Sequence, residues 1–293
     1  MENSLCTIMT PTYNRAYIIE NLYDSLRTQT SKNFEWIIID DGSTDNTSEL
    51  ISKFIEENLF TIKYFKQSNG GKHRAVNMAI DLANGEYFFI VDSDDILPEK
   101  SIETIFKWFK SIEDKENFAG IGGLKKYINT PKIVGNTFKQ DYIDCTSLER
   151  EKYNILGDKA EVFYTTILKK FKFPEFENEK FLSEAVLWNE IARHGYKIRW
   201  FNESIYECEY LEDGLTKNII NQFSNSPNGF ALYIKTLTED YKINLIKKYY
   251  YYGMFYSNVK NVKFKNTNRI LEINKLQILI SLILYKIVKL IKV

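Results

Sequence analysis

Residues 69–95, NGGKHRAVNMAIDLANGEYFFIVDSDD, decide the fold. A glycine pair opens the stretch, and an amphipathic run predicts a helix over Gly71–Asn84, with ANGE as its stop signal. The apolar segment Tyr87–Val91 then reads as a strand that ends in the carboxylates of DSDD. Toward the N-terminus the same unit recurs. Short β-branched or aromatic runs at Leu5–Met9, Trp36–Ile39 and Thr61–Phe65 read as strands, each followed by a polar loop and a helix-length segment. The intervening helices are predicted over Ile18 to about Gln29 and over Asn46–Glu57, with SLRTQT stopping the first and Asp45 or Ser43 capping the second. Strands alternating with helices at this spacing imply a parallel sheet covered on both faces. Ligands of such sheets bind at the carboxyl ends of the strands. The loops there are PTYNR (11–15), DDGSTD (40–45), QSNGGKHR (67–74) and DSDD (92–95).

C-terminal to DSDD, Lys100–Lys110 reads as another helix, and from about Phe118 the alternation weakens. FAGIGGLKKYI (118–128) and AEVFYTTIL (160–168) are read as strands or a short helix. A helical pattern returns over Lys180–His194, with Leu182, Val186, Leu187 and Ile191 on one face and Gly195 as its stop.

The 293 residues, 44% hydrophobic with 20 Tyr, 20 Phe and 4 Trp, supply a large core and exclude a disordered or fibrous chain. Three scattered cysteines, Cys6, Cys145 and Cys208, suggest neither a disulfide framework nor a zinc site. The start, MENSLCTIMT, lacks the basic and apolar regions of a secretory signal, so the catalytic part is expected in the cytoplasm. Charge is unevenly placed. Basic and acidic residues balance at 39 each, yet residues 241–293 carry eleven Lys or Arg and one acidic residue, Glu272, a net +10. Within that tail, INKLQILISLILYKIVKLIKV (273–293) has too short an apolar core to span a bilayer. A basic amphipathic helix lying on an anionic membrane fits it, and a helix docked on the protein is the alternative. Nucleic acid is not an expected partner.

Alternate carboxylates at a strand end, Asp92 and Asp94, can share a hard divalent cation whose other positions go to water and phosphate oxygens. A plain turn capping the next helix is the competing reading. Asp40 and Asp41 suit hydrogen bonds from a base or from ribose hydroxyls, while GSTD suits a turn and helix cap. Tyr13 offers a face for stacking a base, an interaction of about 1–3 kcal/mol elsewhere. Lys72, Arg74 and the start of the helix after the glycine pair would attract phosphate. There is no GxxxxGK[ST] and no GxGxxG, so neither a Walker loop nor dinucleotide binding is indicated. The only histidines are His73 and His194, which disfavours a Ser-His-Asp hydrolase.

The series PTYNR, IIIDDGSTD and NGGKHRAVNMAIDLANGEYFFIVDSDD resembles glycosyltransferase family 2 in order and spacing across roughly residues 5–100. The resemblance implies a GT-A type, Rossmann-like, mostly parallel α/β sheet flanked by helices, with a helical C-terminal extension. It also implies a nucleotide-sugar half (1–115), an acceptor half (116–215) and the extension (216–293). Tyr13 and Asp41 match its base-contacting positions, Asp92 the position near the ribose and Asp94 the metal ligand. Thr12, Asp40, Lys72 and Asn77 fall in its conserved loops. In SEAVLWNEIARHGY (183–196), Ser183 and Glu184 stand where the family carries a Glu-Asp pair, so Glu184 resembles the catalytic base. No histidine occurs in CEYLEDGLT (208–216), where the family often has one near metal or diphosphate.

The function this resemblance implies is that of a metal-dependent inverting transferase using Mg²⁺ or Mn²⁺. It would move a sugar from a nucleotide diphosphate, UDP in the first instance, to a glycan or lipid-linked glycan in surface polysaccharide synthesis, on the inner face of the cell membrane. The rivals are a sugar nucleotidyltransferase, whose glycine-rich loop is replaced here by PTYNR, and a non-catalytic sugar-nucleotide-binding scaffold.

Overall fold

The computed structural model describes residues 5–209, 211, 218–239, 243–259 and 270–291. They fall into two compact units. One lies within Met1–Gly70, Arg74–Lys172 and Ile191–Glu209, the other within Gly71–His73, Phe173–Glu190 and Tyr210–Val293.

The first unit is built on one sheet of eight strands: β1 (Cys6–Thr12), β2 (Phe34–Asp40), β3 (Thr61–Lys66), β4 (Tyr87–Ile90), β5 (Phe118–Tyr127), β6 (Tyr142–Cys145), β7 (Lys159–Tyr164) and β8 (Lys197–Cys208), in the order β3-β2-β1-β4-β7-β5-β8-β6. The strands β3, β2, β1 and β4 are parallel, β7 pairs antiparallel with both β4 and β5, β8 is parallel to β5, and β6 closes the edge antiparallel to β8. Every residue of β2, FEWIIID, is buried, as a strand covered on both faces requires. Edge strand β3, TIKYFK, has no fully buried residue and carries two lysines, which discourage further pairing.

Helices α1 (Ile19–Arg27), α2 (Thr47–Glu57), α3 (Lys72–Leu82) and α4 (Ser101–Lys110) flank this sheet. Helix α1 buries Ile19, Leu22, Tyr23 and Leu26, the i, i+3, i+4, i+7 face of an amphipathic helix, and Tyr23 stacks on Phe54 of α2 with centroids 4.0 Å apart. The chain leaves α2 through Asn58 in the left-handed region, φ 51°, the usual helix exit when glycine is not used. The N-cap of α2 is Asn46 and not the expected Asp45 or Ser43, while Asp45 just before it accepts through Oδ1 from the Thr47 N–H at 3.1 Å and hydroxyl at 2.6 Å. Beyond α4 come the short helix α5 (Thr165–Lys170) and then α6 (Ala185–Arg193). The three cysteines are free and buried.

Glu35 of β2 is one of the charged side chains buried in the sheet, with Asp40 and Lys159. It accepts from Thr7 Oγ1 at 2.7 Å, Lys63 Nζ at 2.6 Å and the Asn84 N–H at 2.8 Å. Burial alone would raise its pKa, but these donors outweigh burial and hold it below the usual carboxylate value. A depressed pKa means stability that is present at neutral pH and is lost as the pH falls through the folded-state value. Glu35→Gln is therefore expected to cost about 1–3 kcal/mol at pH 7 and less at acid pH, read as melting temperature against pH.

The C-terminal helices α7 (Ile219–Asn225), α8 (Pro227–Thr238), α9 (Leu245–Asn258) and α10 (Lys275–Ile291) belong to the second unit. Phe223, Phe230, Ile234, Tyr252, Phe255 and Leu271 form its core. Helices α9 and α10 meet at Gly253, where a Cβ would lie 2.2 Å from the Ser281 carbonyl oxygen, so only a glycine admits that approach. The helix expected from Lys180 begins instead at Ala185. The preceding segment is tied to the start of α8 instead, the Phe181 N–H donating to Ser226 Oγ at 3.1 Å and Glu179 accepting from the Asn228 and Gly229 N–H groups, both at 2.8 Å. Strand β8 has no counterpart among the strands expected from the sequence. Its pairing with β5 shifts register at Phe118/Gly120, Gly122/Leu124 and Leu124/Lys125, which breaks the alternation that would have marked it.

Candidate functional site

The order β3-β2-β1-β4 puts a topological switch between β1 and β4, where connections leave in opposite directions along the sheet. At this carboxyl edge the loops PTYNR, DDGSTD and DSDD come together. The first two are bolted to each other. Asn14 N–H donates to Ser43 Oγ at 2.9 Å, its Oδ1 accepts from the Thr44 N–H at 2.8 Å, and Ala16 N–H donates to Asp45 Oδ2 at 3.1 Å.

Asp40 is fully buried, its Oδ1 accepting from the Ser43 N–H at 2.7 Å and its Oδ2 from the Tyr64 hydroxyl at 2.5 Å. It builds the turn. Asp41 is also buried, and its Oδ1 accepts from Gln67 Nε2 and the Gly70 N–H, both at 2.7 Å, which draws the QSNGG loop to the same edge. Gly42 makes this packing possible with φ +87°, and a Cβ there would stand 3.0 Å from the Asn69 nitrogen. Beside these, Tyr13 is 47% exposed, presenting a ring for stacking. The Thr12 hydroxyl is buried and has no hydrogen-bond partner among the described residues. A buried, unsatisfied hydroxyl at a strand end marks a place where a ligand atom would be welcomed.

The DSDD loop follows β4, with Asp92 and Asp94 half-buried and Asp95 buried. Burial, and next the negative charge of Asp92, raise the pKa of Asp95. Burial would lower the pKa of Lys125, on β5, yet the carboxylates of Asp92 and Asp95 raise it. Among the described residues no group of three or more His, Cys, Asp or Glu side chains forms a complete metal cage. Asp92 and Asp94 are hard oxygen donors of the kind that suits Mg²⁺ or Mn²⁺, cations bound by one or two carboxylates with phosphates and water completing the shell. The expected histidine-free stretch 208–216 lies mostly outside the described residues.

In the second unit Lys72 and Glu184 meet, Nζ to Oε1, at 3.0 Å. Glu184 stands immediately before α6, where its carbonyl accepts from the Leu187 and Trp188 N–H groups and its negative charge is favoured by the helix dipole. Gly71 holds φ +97°, and a Cβ there would fall 1.8 Å from the Lys180 carbonyl oxygen, so glycine is required just before Lys72. His73 and Asn77 are buried on α3. Sequence reasoning missed Lys125 and Tyr206, which stand against the DSDD loop, and gave its last residue, Asp95, no separate role. Nothing in a tyrosine-rich, lysine-rich chain distinguishes Lys125 or Tyr206 before the pairing of β5 and β8 is known.

A sequence model of the family "Glycosyl transferase family 2" matches residues 7–127. The glycosyltransferase GlyG of Streptococcus pneumoniae is 28% identical over 217 residues, covering 70% of this chain and 70% of GlyG. The UDP-Glc:alpha-D-GlcNAc-diphosphoundecaprenol beta-1,3-glucosyltransferase WfgD of Escherichia coli is 28% identical over 232 residues, covering 78% of this chain and 83% of WfgD. Other curated relatives are longer, and the chain spans 31% of their length. The crystal structure of Staphylococcus aureus TarS residues 1–349 in complex with UDP-GlcNAc superposes with TM-score 0.61 at 20% identity, covering 96% of this chain and 88% of that one. That likeness is one of fold.

Proposed function

We propose, for a chain that belongs to glycosyltransferase family 2 through residues 7–127, transfer of a sugar from a uridine diphosphate donor to a hydroxyl of a glycan or lipid-linked glycan, with inversion, in surface polysaccharide assembly. The observation that carries the reading is the meeting of PTYNR, DDGSTD and DSDD at the β1/β4 switch point. The names of relatives support the substrate classes. WfgD is named for a UDP-Glc donor and a diphosphoundecaprenol acceptor, and the TarS complex contains UDP-GlcNAc.

In this reading the nucleotide-sugar half is 1–115, the acceptor half 116–215 and the extension 216–293. Tyr13 stacks on the base, and Asp41 receives its N–H while Thr12 hydrogen-bonds the donor. Asp40 shapes the turn that aims Asp41. Asn77 supports the phosphate loop from α3, and Lys72 draws the diphosphate by charge. Asp92, near the ribose, and Asp94 hold Mg²⁺ or Mn²⁺. The cation, when bound, neutralises charge on the departing diphosphate. Glu184 accepts the proton of the attacking hydroxyl. Titration of UDP-sugars and GDP-sugars, with and without Mn²⁺, tests the donor assignment, and equal or absent binding of both would reject it. Release of UDP on adding acceptor separates a transferase from a non-catalytic scaffold, whereas release of pyrophosphate would mark a nucleotidyltransferase.

Membrane contact is proposed through α10. Among the described residues no helix is long and apolar enough to cross a membrane. One face of α10 packs on α9, and the opposite face carries Leu276, Leu279, Ile280, Ile283, Ile287, Leu290 and Ile291, between 37% and 78% exposed. Lys275, Lys286 and Lys289 lie beside this stripe, and neither α9 nor α10 contains an acidic residue. That pattern suits an anionic bilayer surface, on the inner face of the cell membrane. The double substitution Ile283→Asn with Ile287→Asn is expected to release the protein from anionic liposomes in flotation, each isoleucine accounting for about tenfold in affinity. These side chains leave the α9 contact intact, which deletion of 273–293 would not. Indifference of the wild-type protein to such liposomes would reject the assignment.

A further inference from the structure

The DSDD loop makes one turn of its own, the Asp95 N–H donating to the Asp92 carbonyl at 3.2 Å. Further bonds reach it from β8 and the residue that follows that strand, distant in sequence. The Tyr206 hydroxyl accepts from the Asp92 N–H at 3.0 Å and donates to Asp95 Oδ2 at 2.6 Å. Next along, Ile96 and Glu207 exchange both backbone hydrogen bonds, at 3.0 and 2.9 Å, and the Glu209 N–H donates to Asp95 Oδ1 at 3.3 Å. The Tyr206 ring is buried, edge-on to Phe89 of β4 with centroids 5.9 Å apart, and Lys125 Nζ lies 4.2 Å over it.

We propose that Tyr206 is the positioning residue that holds the Asp92–Asp95 loop in its cation-accepting form, with Asp95 as part of the frame. The inference rests on the proposed transferase function. Its physical basis is a division of labour among carboxylates. Asp95 has one oxygen committed to Tyr206 and the other to the Glu209 N–H, so it serves the scaffold. The same hydroxyl fixes the backbone of Asp92 and thereby the start of the metal-binding pair. Lys125 offsets the concentrated negative charge from the adjoining strand. A core aromatic that merely fills space would need no hydroxyl, yet this one both accepts and donates in a buried setting, where an unmade bond is costly.

Tyr206→Phe removes the hydroxyl and keeps the ring. Calorimetry would measure two affinities, Mn²⁺-dependent binding of UDP and metal-free binding of uridine, alongside thermal melting. The expected result is a loss of about 10–100-fold in Mn²⁺-dependent UDP affinity, the usual effect of removing a partner that orients a metal ligand, with uridine binding unchanged within about twofold. Asp95→Asn, which keeps one oxygen for the Tyr206 hydroxyl, is the second variant and should lose less affinity than Asp94→Asn. Unchanged UDP affinity in Tyr206→Phe would overturn the assignment, as would a parallel loss of uridine binding and melting temperature, or an Asp95→Asn defect equal to that of Asp94→Asn. Wild-type protein without any metal-dependent gain in UDP affinity would instead reject the functional reading, and this inference with it.

Discussion

Glu184→Gln is expected to slow sugar transfer by about 10²–10⁴-fold, the usual contribution of a positioned general base. Glutamine keeps the shape and the hydrogen-bonding reach of the side chain but cannot take up the proton of the attacking hydroxyl. The residue stands at the head of α6, and its partner is Lys72 at 3.0 Å. Loss of the negative charge removes that ion pair, but both side chains are partly exposed, at 22% and 38%, so its contribution to stability is small. Melting temperature should therefore change little. Donor affinity should remain near that of the wild-type protein, because the base is assigned to the acceptor. UDP release with acceptor present, beside UDP-sugar binding by titration, measures both quantities. Full activity in Glu184→Gln would move the assignment to Glu190 or to an acidic residue of 207–213, and loss of donor binding would make Glu184 a nucleotide contact.

Asp94→Asn is expected to abolish most of the Mn²⁺-dependent component of UDP binding. Removing a mere supporting partner of a metal ligand already costs about 10–100-fold in affinity, so loss of a carboxylate ligand should cost at least that much. An amide is a neutral and poorer donor to a hard cation. The fold should survive, since Asp94 is half-buried in a loop outside the strands of the sheet. Binding of uridine alone should be unaffected, because the cation is assigned to the diphosphate. Calorimetry across a Mn²⁺ series reads the effect directly, and an unchanged metal dependence would reject the metal assignment for DSDD.

The first 110 residues were legible because every signal in them is local. β1, β2, β3 and β4 coincide with the expected strands to within a few residues, and α1 to α4 with the expected helices. Apolar runs of a strand and the i, i+3, i+4 face of a helix depend on near neighbours in the chain. The same holds for the loops PTYNR, DDGSTD and DSDD, whose place after successive strands arises from the alternation itself. In the tail, the apolar and basic character was equally plain, and helices occupy its described residues.

Less was legible where partners are remote. Whether Asp40 meets a ligand or builds a turn depends on Tyr64, 24 residues away, and on Ser43. Glu179, buried against the start of α8, is indistinguishable in sequence from its exposed neighbours Glu175 and Glu177. The tail's two readings, docked helix or exposed amphipathic surface, were alternatives in sequence. In the structure one face packs on α9 while the apolar stripe opposite stays exposed.

The sequence by itself thus determined the β-α alternation, the order of the loops at the carboxyl ends of the strands and the resemblance to glycosyltransferase family 2, because periodicity and loop chemistry act over a few residues. Only the tertiary structure decided that Tyr206 of β8 grips Asp92 and Asp95, that Lys125 joins them, and that Lys72 meets Glu184. Those contacts span more than 80 residues for Tyr206 and for the Lys72–Glu184 pair. They arise from strand pairing and buried packing, where a polar group must find its partner wherever the chain has folded, and no local pattern records which partner that is.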